Sequence, residues 1–318
     1  MSFEYVTFGK EAVFRDRHVT KVSETIVPFS QGEKGEIGII GLPLSKTSIS
    51  LSHAAEAPQK IRSHFKSFTT YSAEADKDFQ DLKILDFGDC LTHPTDLSES
   101  IERLYKSVSD MLEVNSCERY VILGGDHGVS FPSIRAFSEK LGRIGVIQWD
   151  AHHDVRNFED GGRTNGTPFR SLIEGGYLMG NHLVQIGIRD FSNSKVYREY
   201  TREKGIHVYT MADIEKIGLA SILINELTRI ENEVDYLYLS VDMDVVDQAF
   251  APGCPAIGPG GLTSRELLSS IEIASAHPKV KAMDIVEVDP SKDIRDMTTR
   301  LAAFSMLKFM YSKRGISE

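Results

Sequence analysis

The sequence predicts an α/β chain built in three layers, α/β/α, around a mainly parallel sheet of eight strands. Three observations carry this expectation. Eight short runs are apolar almost throughout, as strands buried on both faces must be. Stretches with apolar residues at helical spacing lie between them, the alternation that crossover helices impose on a parallel sheet. Nothing divides the chain: it has no internal repeat, low-complexity block or Pro/Gly/Ser-rich linker, so residues 1–318 are read as one domain. With 41% hydrophobic residues and only 11 prolines, the chain has enough apolar side chain for a substantial core.

In chain order, the first expected strand is "EIGIIGLPL" (36–44) and the second "KILDFGD" (83–89). Helical periodicity follows in "DLSESIERLYKSVSDMLEV", which begins at Asp96. "RYVILGG" (119–125), "RIGVIQWD" (143–150), "HLVQIGIR" (182–189), "IHVYT" (206–210) and "DYLYLSVD" (235–242) are the next five strands. A further helix, "SRELLSSIEIASAH" from Ser264, leads to the eighth strand, "KAMDIVEV" (281–288), and "TRLAAFSMLKFMYSK" (299–313) is helical again. In such sheets the loops beyond the carboxyl ends of the strands form the ligand crevice. Four of the eight exits carry concentrated polar chemistry, at "GGDHGVS", "DAHHDV", "SVDMDVVD" and "VEVDP", so one site built from four strand ends is expected.

Bulk properties narrow the partner. The 36 basic and 46 acidic residues give a formal charge of −10, which opposes general affinity for nucleic acid or anionic membranes and favours a small-molecule substrate. Cys90, Cys117 and Cys254 are widely spaced, without a Cys-x-x-Cys, which argues against a disulfide scaffold or a structural zinc knuckle. The start "MSFEYVTFGKEAVFRDRH" lacks the pattern of a secretory leader, and no run approaches eighteen apolar residues. The expectation is a cytoplasmic protein that assembles as a homo-oligomer, with no membrane partner.

The exits supply metal-type ligands. Alternate residues of an extended strand project to one face, so Asp150, His152 and Asp154 are expected to converge, as are Asp242 and Asp244. His127, after the tight "GG", brings the set to four carboxylates and two imidazoles. Four crowded carboxylates repel one another unless compensated, and two divalent cations offset them numerically. Oxygen-rich ligation with some imidazole suits Mn²⁺ better than a thiolate-seeking metal. Taken singly, an Asp-x-Asp is usually a solvated turn or a helix cap; clustering at one crevice is what favours ligation. His153 alternates to the opposite face and is expected to play a supporting role, and Cys254 to pack.

As a set, "GGDHGVS", "DAHHDV", "SVDMDVVDQAFAPG" and "EVDP", spread over residues 124–290, resemble the signature segments of the ureohydrolase family, which includes arginases, agmatinases, guanidino-acid hydrolases and formimidoylglutamases. The resemblance implies an arginase-like fold and a site for two Mn²⁺ per subunit held by His127, Asp150, His152, Asp154, Asp242 and Asp244. It further implies hydrolysis at an amidine carbon by a water bridging the two ions, with Asp154 holding that water and passing its proton to the leaving amine. Glu287 stands where the family's glutamate meets the substrate cation.

Within the family, "RTNGTPFRSL" (163–172) separates the branches. Arginases and agmatinases generally have a histidine where this chain has Asn165, and "GTPFR" resembles the formimidoylglutamase branch. Arg156, two positions beyond Asp154, points the same way, because a guanidinium fork suits a carboxylate and repels an amine cation. The implied reaction cleaves N-formimidoyl-L-glutamate to L-glutamate and formamide in histidine degradation. Substrate contacts are then expected from Arg156, Asn165, Arg163 and Glu287, with Arg170 as a further candidate. The alternative is another ureohydrolase that releases urea from a guanidino acid or agmatine. Rival readings from other classes are a catalytically silent scaffold and a mononuclear zinc deacetylase, and metal stoichiometry separates the latter. The segment "GLPLSKTSISLSHAAEAPQKIR" (41–62), Gln248 and Asp289 depart from family habit, the first in a way that bears on substrate access.

Overall fold

Among the described residues, nine strands join in one sheet whose every pairing is parallel, in the order β1-β5-β2-β6-β11-β10-β7-β8-β9. They are β1 (Ile26–Pro28), β2 (Gly35–Leu42), β5 (Ile84–Asp89), β6 (Cys117–Gly124), β7 (Ile144–Trp149), β8 (Leu183–Ile188), β9 (His207–Thr210), β10 (Tyr236–Asp242) and β11 (Val280–Val286). Two further strands, β3 (Tyr71–Ser72) and β4 (Lys77–Asp78), form a separate antiparallel pair. The structure is a computed structural model that describes residues 16–312. The eight expected strands are all present; the ninth, β1, is a three-residue edge strand ending in Pro28. It is too short to register as an apolar run, and proline is tolerated only at such an edge.

Helices cover both faces. On one side lie α1 (Ala57–His64), α6 (Met211–Ile217), α7 (Leu219–Ile230), α8 (Ser264–Ser275) and α9 (Met297–Met310), packed on Ile37, Ile39, Val121, Leu123, Ile147, Trp149 and Leu239. On the other, α2 (Leu97–Val114), α3 (Ser130–Leu141), α4 (Pro168–Glu174) and α5 (Lys195–Glu203) pack on Ile40, Leu42, Tyr120, Ile122, Val146 and Tyr238. Neighbouring strand residues thus enter opposite cores, which is why the strands read as continuous apolar runs. The helix starts are chemically set: Asp96 accepts from the Glu99 amide at α2, and Thr263 and Glu266 form a reciprocal cap at α8. Helix α9 begins two residues earlier than expected. Lys313 of the expected helix lies outside the described residues, as do residues 1–15 of the amino-terminal reading and both ends of the expected 1–318 domain. Among the described residues, no helix is long and apolar enough to cross a membrane.

The four strands whose exits carry the polar motifs, β6, β11, β10 and β7, are consecutive neighbours at the centre of the sheet. Residues far apart in sequence are therefore delivered side by side, at one end of one rigid surface.

Candidate active site

The metal-type residues sit just past the strand ends, and they converge by turns rather than by strand alternation. Strand β7 stops at Trp149, so the expected zigzag of Asp150, His152 and Asp154 along an extended strand is not what forms. Instead the Asp150 carboxylate accepts from the His152 amide (2.6 Å), the Asp242 carboxylate from the Asp244 amide (2.8 Å) and the Asp126 carboxylate from the Gly128 amide (3.0 Å). Each aspartate folds its own backbone two residues on into a tight turn. Asp154 then takes a left-handed conformation (φ 50°), which re-aims its side chain at the cluster, and Asp244 lies in the short helical turn Met243–Val245. Gly125 is required by close approach: a Cβ there would collide with the Leu44 carbonyl oxygen, which accepts from the Asp126 amide at 2.7 Å.

All six expected ligands come together, in two groups that share Asp150. His127 Nδ1 lies 3.1 Å from Asp150 Oδ2, 2.9 Å from Asp154 Oδ2 and 3.1 Å from Asp242 Oδ2. His152 Nδ1 lies 3.4 Å from Asp150 Oδ1 and 3.0 Å from Asp244 Oδ2, so the two oxygens of Asp150 serve one group each. The charges are strongly coupled. Burial alone would lower the His127 pKa, but hydrogen bonding to three carboxylates raises it well above the ordinary value. His152 is pushed up to about 12, chiefly by Asp244. Burial and then neighbouring carboxylates raise Asp242 well above the usual range and Asp154 to about 6.

The residues fit divalent cations. Asp284, wholly buried in β11, accepts from the Ser240 hydroxyl at 2.9 Å, and Ser240 Oγ lies 3.0 Å from His127 Nε2. With its proton committed to Asp284, the hydroxyl oxygen accepts from Nε2–H, which leaves the Nδ1 lone pair facing the carboxylates. Nδ1 is buried, with those three carboxylate oxygens around it. A lone pair converging with three carboxylate oxygens is a cation site; in a cation's absence a proton takes that place. Arg189 supports the second group from behind, donating to the Asp244 carbonyl at 2.6 Å.

A cavity of about 380 Å³ opens over the cluster, lined among others by His152, His153, Asp154, Arg156, Asn165, Tyr197, Asp242, Asp244 and Glu287. Glu287, also at positive φ (58°), accepts on Oε1 from the His127 amide and from Asn165 Nδ2, both at 2.9 Å. Its pKa is raised to about 8, first by burial and then by the nearby Asp126 carboxylate. Asn165 also accepts from the Ile49 amide at 3.1 Å and donates its own amide to the Thr47 carbonyl at 2.8 Å. The divergent 41–62 segment is thereby tied to the cavity, and Asp289 holds its middle by accepting from the His53 amide at 3.1 Å.

The arginines separate. Arg156 lines the cavity, and its guanidinium makes no hydrogen bond or ion pair among the described residues. Arg163, expected at the substrate, is not brought to the cavity: its guanidinium lies over the Phe131 ring, 4.7 Å from the centroid. Arg170 is engaged with Glu174 at 2.7 Å and with the Tyr200 ring. His153, expected to face away, is buried yet lines the cavity. Sequence reasoning missed Asp126, Gln148, Gln185, Ser240 and Asp284. The readable signal was a polar residue inside an otherwise apolar strand, in "VIQW", "LVQIG" and "AMDIV".

Comparison with known proteins agrees with this geometry. The Arginase family model matches residues 35–311, and the chain belongs to that family. Within it, the chain is 52% identical over 302 residues to a formimidoylglutamase of Halalkalibacterium halodurans, covering 95% of each chain. It is 44% identical to a formimidoylglutamase of Bacillus subtilis over 92% of each chain. The crystal structure of formimidoylglutamase from Bacillus subtilis superposes with a TM-score of 0.93 at 41% identity, covering 97% of this chain and 96% of that one.

Proposed function

We propose that the chain hydrolyses N-formimidoyl-L-glutamate to L-glutamate and formamide, a step of histidine degradation, with two Mn²⁺ per subunit. The observation that carries the reading is that one cavity is lined both by an unpaired arginine, Arg156, and by the paired histidine–carboxylate groups. That combination matches a substrate with carboxylates at one end and an amidinium at the other. The names of the relatives support the same substrate, and the oxygen-rich donor set supports manganese. All the site loops leave one sheet, which supports reading the chain as one domain.

His127, Asp154 and Asp242 would hold one ion and His152 and Asp244 the other, with Asp150 shared. Bound there, two divalent cations supply Lewis acidity that makes hydroxide available near neutral pH. Arg156 binds and orients a substrate carboxylate. Glu287 receives the amidinium, and Asn165, which also lines the cavity, holds Glu287 in position. Asp154, which also lines the cavity, takes the water's proton and returns it to the leaving nitrogen. The C–N bond to the glutamate nitrogen breaks, and the water oxygen becomes the carbonyl oxygen of formamide. The deciding experiment is product identification with N-formimidoyl-L-glutamate beside agmatine, arginine and 4-guanidinobutyrate. Formamide and glutamate from the first alone are expected, and urea from any of the others would overturn the assignment.

A further inference from the structure

A relay of amides runs from the metal-type cluster to His153, which lines the cavity, and each member fixes the next. Asp150 Oδ2 accepts from Gln148 Nε2 at 2.7 Å, and a shared ligand carboxylate has no proton to give. The Gln148 amide is therefore oriented with its nitrogen toward Asp150, and its oxygen accepts from Gln185 Nε2 at 2.8 Å. The other hydrogen of Gln185 Nε2 goes to the His153 carbonyl at 2.7 Å, so Gln185 Oε1 is the acceptor that His153 Nδ1 meets at 2.7 Å. His153 must carry its proton on Nδ1. Its backbone is pinned as well: the His153 amide donates to Asn193 Oδ1 at 2.9 Å, while Asn193 Nδ2 donates to the Ala151 carbonyl at 2.9 Å.

What remains is Nε2, the one ring nitrogen of His153 without a partner, on a residue only 2% exposed that lines the cavity. A lone pair held in that place cannot receive a carboxylate, which would meet it with another lone pair. It accepts from an N–H. Resting on the hydrolysis proposed above, we infer that His153 Nε2 accepts a hydrogen bond from an amidinium N–H of the substrate, and so acts with Glu287 as a second acceptor for the cationic end. Arg156, lining the same cavity, offers the partner for a carboxylate, and the two acceptors offer partners for the amidinium.

The test uses the Mn-loaded protein and formamidinium as probe, with glutarate, which has no N–H, as the control ligand. His153→Asn places an amide nitrogen where Nδ1 was and keeps the donor to Gln185, but puts no atom where Nε2 was. His153→Phe removes both nitrogens while filling the volume, and stands in should the first variant fail to fold. Expected is a roughly 10- to 100-fold weaker inhibition constant for formamidinium, the size of a lost hydrogen bond to a charged group. A similar fall is expected in kcat/KM for N-formimidoyl-L-glutamate, with glutarate inhibition within twofold and two metals per chain retained. Formamidinium binding within twofold of wild type in a variant that keeps both metals overturns the inference, as does loss of the metals from both variants, which would make His153 a support for the cluster. Failure of the wild-type protein to hydrolyse N-formimidoyl-L-glutamate strikes the proposed function instead, and leaves the formamidinium measurement to judge His153.

Discussion

Replacing Glu287 by glutamine removes a charge while leaving the local hydrogen bonds in place. Both neighbours, the His127 amide and Asn165 Nδ2, donate to Oε1, so the carbonyl oxygen of a glutamine can accept from each, and the change falls on the second oxygen. That position then offers N–H donors to an incoming cation. The lost charge-assisted contact is worth about 1.5–3 kcal/mol, or roughly a 10- to 100-fold fall in kcat/KM. Metal content should stay at two per chain by elemental analysis, with turnover followed by release of glutamate. In metal-free protein the same substitution acts on stability. The folded-state pKa of Glu287, raised to about 8, lies above the ordinary 4.5, so ionising this carboxyl costs the fold nothing below pH 4.5 and the full amount above pH 8. Metal-free Glu287→Gln should therefore melt together with metal-free wild type at pH 4 and higher than it at pH 8.5. The gap should be on the order of a few kcal/mol, or roughly 5–10 °C for a chain of this size. Loss of metal from the variant, or kcat/KM within twofold of wild type, would refute the assignment of Glu287 to the substrate cation. A melting gap of the same size at both pH values would refute its burial in ionised form.

Asp150→Ala should abolish binding of both metals and all activity, because Asp150 alone belongs to both ligand groups; one metal retained in elemental analysis would contradict the shared carboxylate. Arg156→Ala should lower kcat/KM for N-formimidoyl-L-glutamate by about 2–5 kcal/mol with both metals kept, and Arg156→Lys should recover little, since an ammonium cannot reproduce a planar fork; near-wild-type kinetics would place the carboxylate elsewhere. Asp284→Ala strips the partner from the Ser130 (2.6 Å), Tyr238 (3.0 Å) and Ser240 (2.9 Å) hydroxyls, and is expected to cost about 3 kcal/mol of unfolding free energy in a denaturant titration and to weaken Mn²⁺ binding roughly tenfold. Unchanged metal affinity in that variant would show that Ser240 does not set the His127 tautomer.

The sheet, its helical layers and the six clustered ligands were legible in the sequence because they rest on apolar patterning and on residue type at strand ends. What the sequence could not convey is conformation within a turn. Asp154 and Glu287 reach their places through positive φ, which no periodicity announces, and Asp150 aims by bonding its own chain rather than by strand alternation. The arginines show the same boundary. Arg156 and Arg163 are equally charged in the sequence, but one is unpaired in the cavity and the other lies on the Phe131 ring, an outcome decided by packing across α3. The partner of His153 was unreadable for a related reason: β7 ends at Trp149, four residues earlier, and only the fold brings Gln185 to its ring.

The sheet order also bears on how the protein comes into being. Strand β11, the last of the nine to be synthesised, lies in the middle, between β6 and β10, and its register with β6 joins residues about 160 positions apart, such as Tyr120 and Ala282. A chain emerging from the ribosome must keep that central slot open, with the edges of two apolar strands unpaired, until Val280–Val286 has been made. Closure of a gap so distant in sequence is slow and exposes sticky edges while it waits. The neighbouring strands β7 and β10 carry five of the six ligands without β11, but His127, which follows β6, joins them only once β11 fills the slot. Nascent or truncated chains ending before Val280 should thus be chaperone clients that lack the His127 group, and manganese should fill both groups only in the finished molecule, as a lock on unfolding.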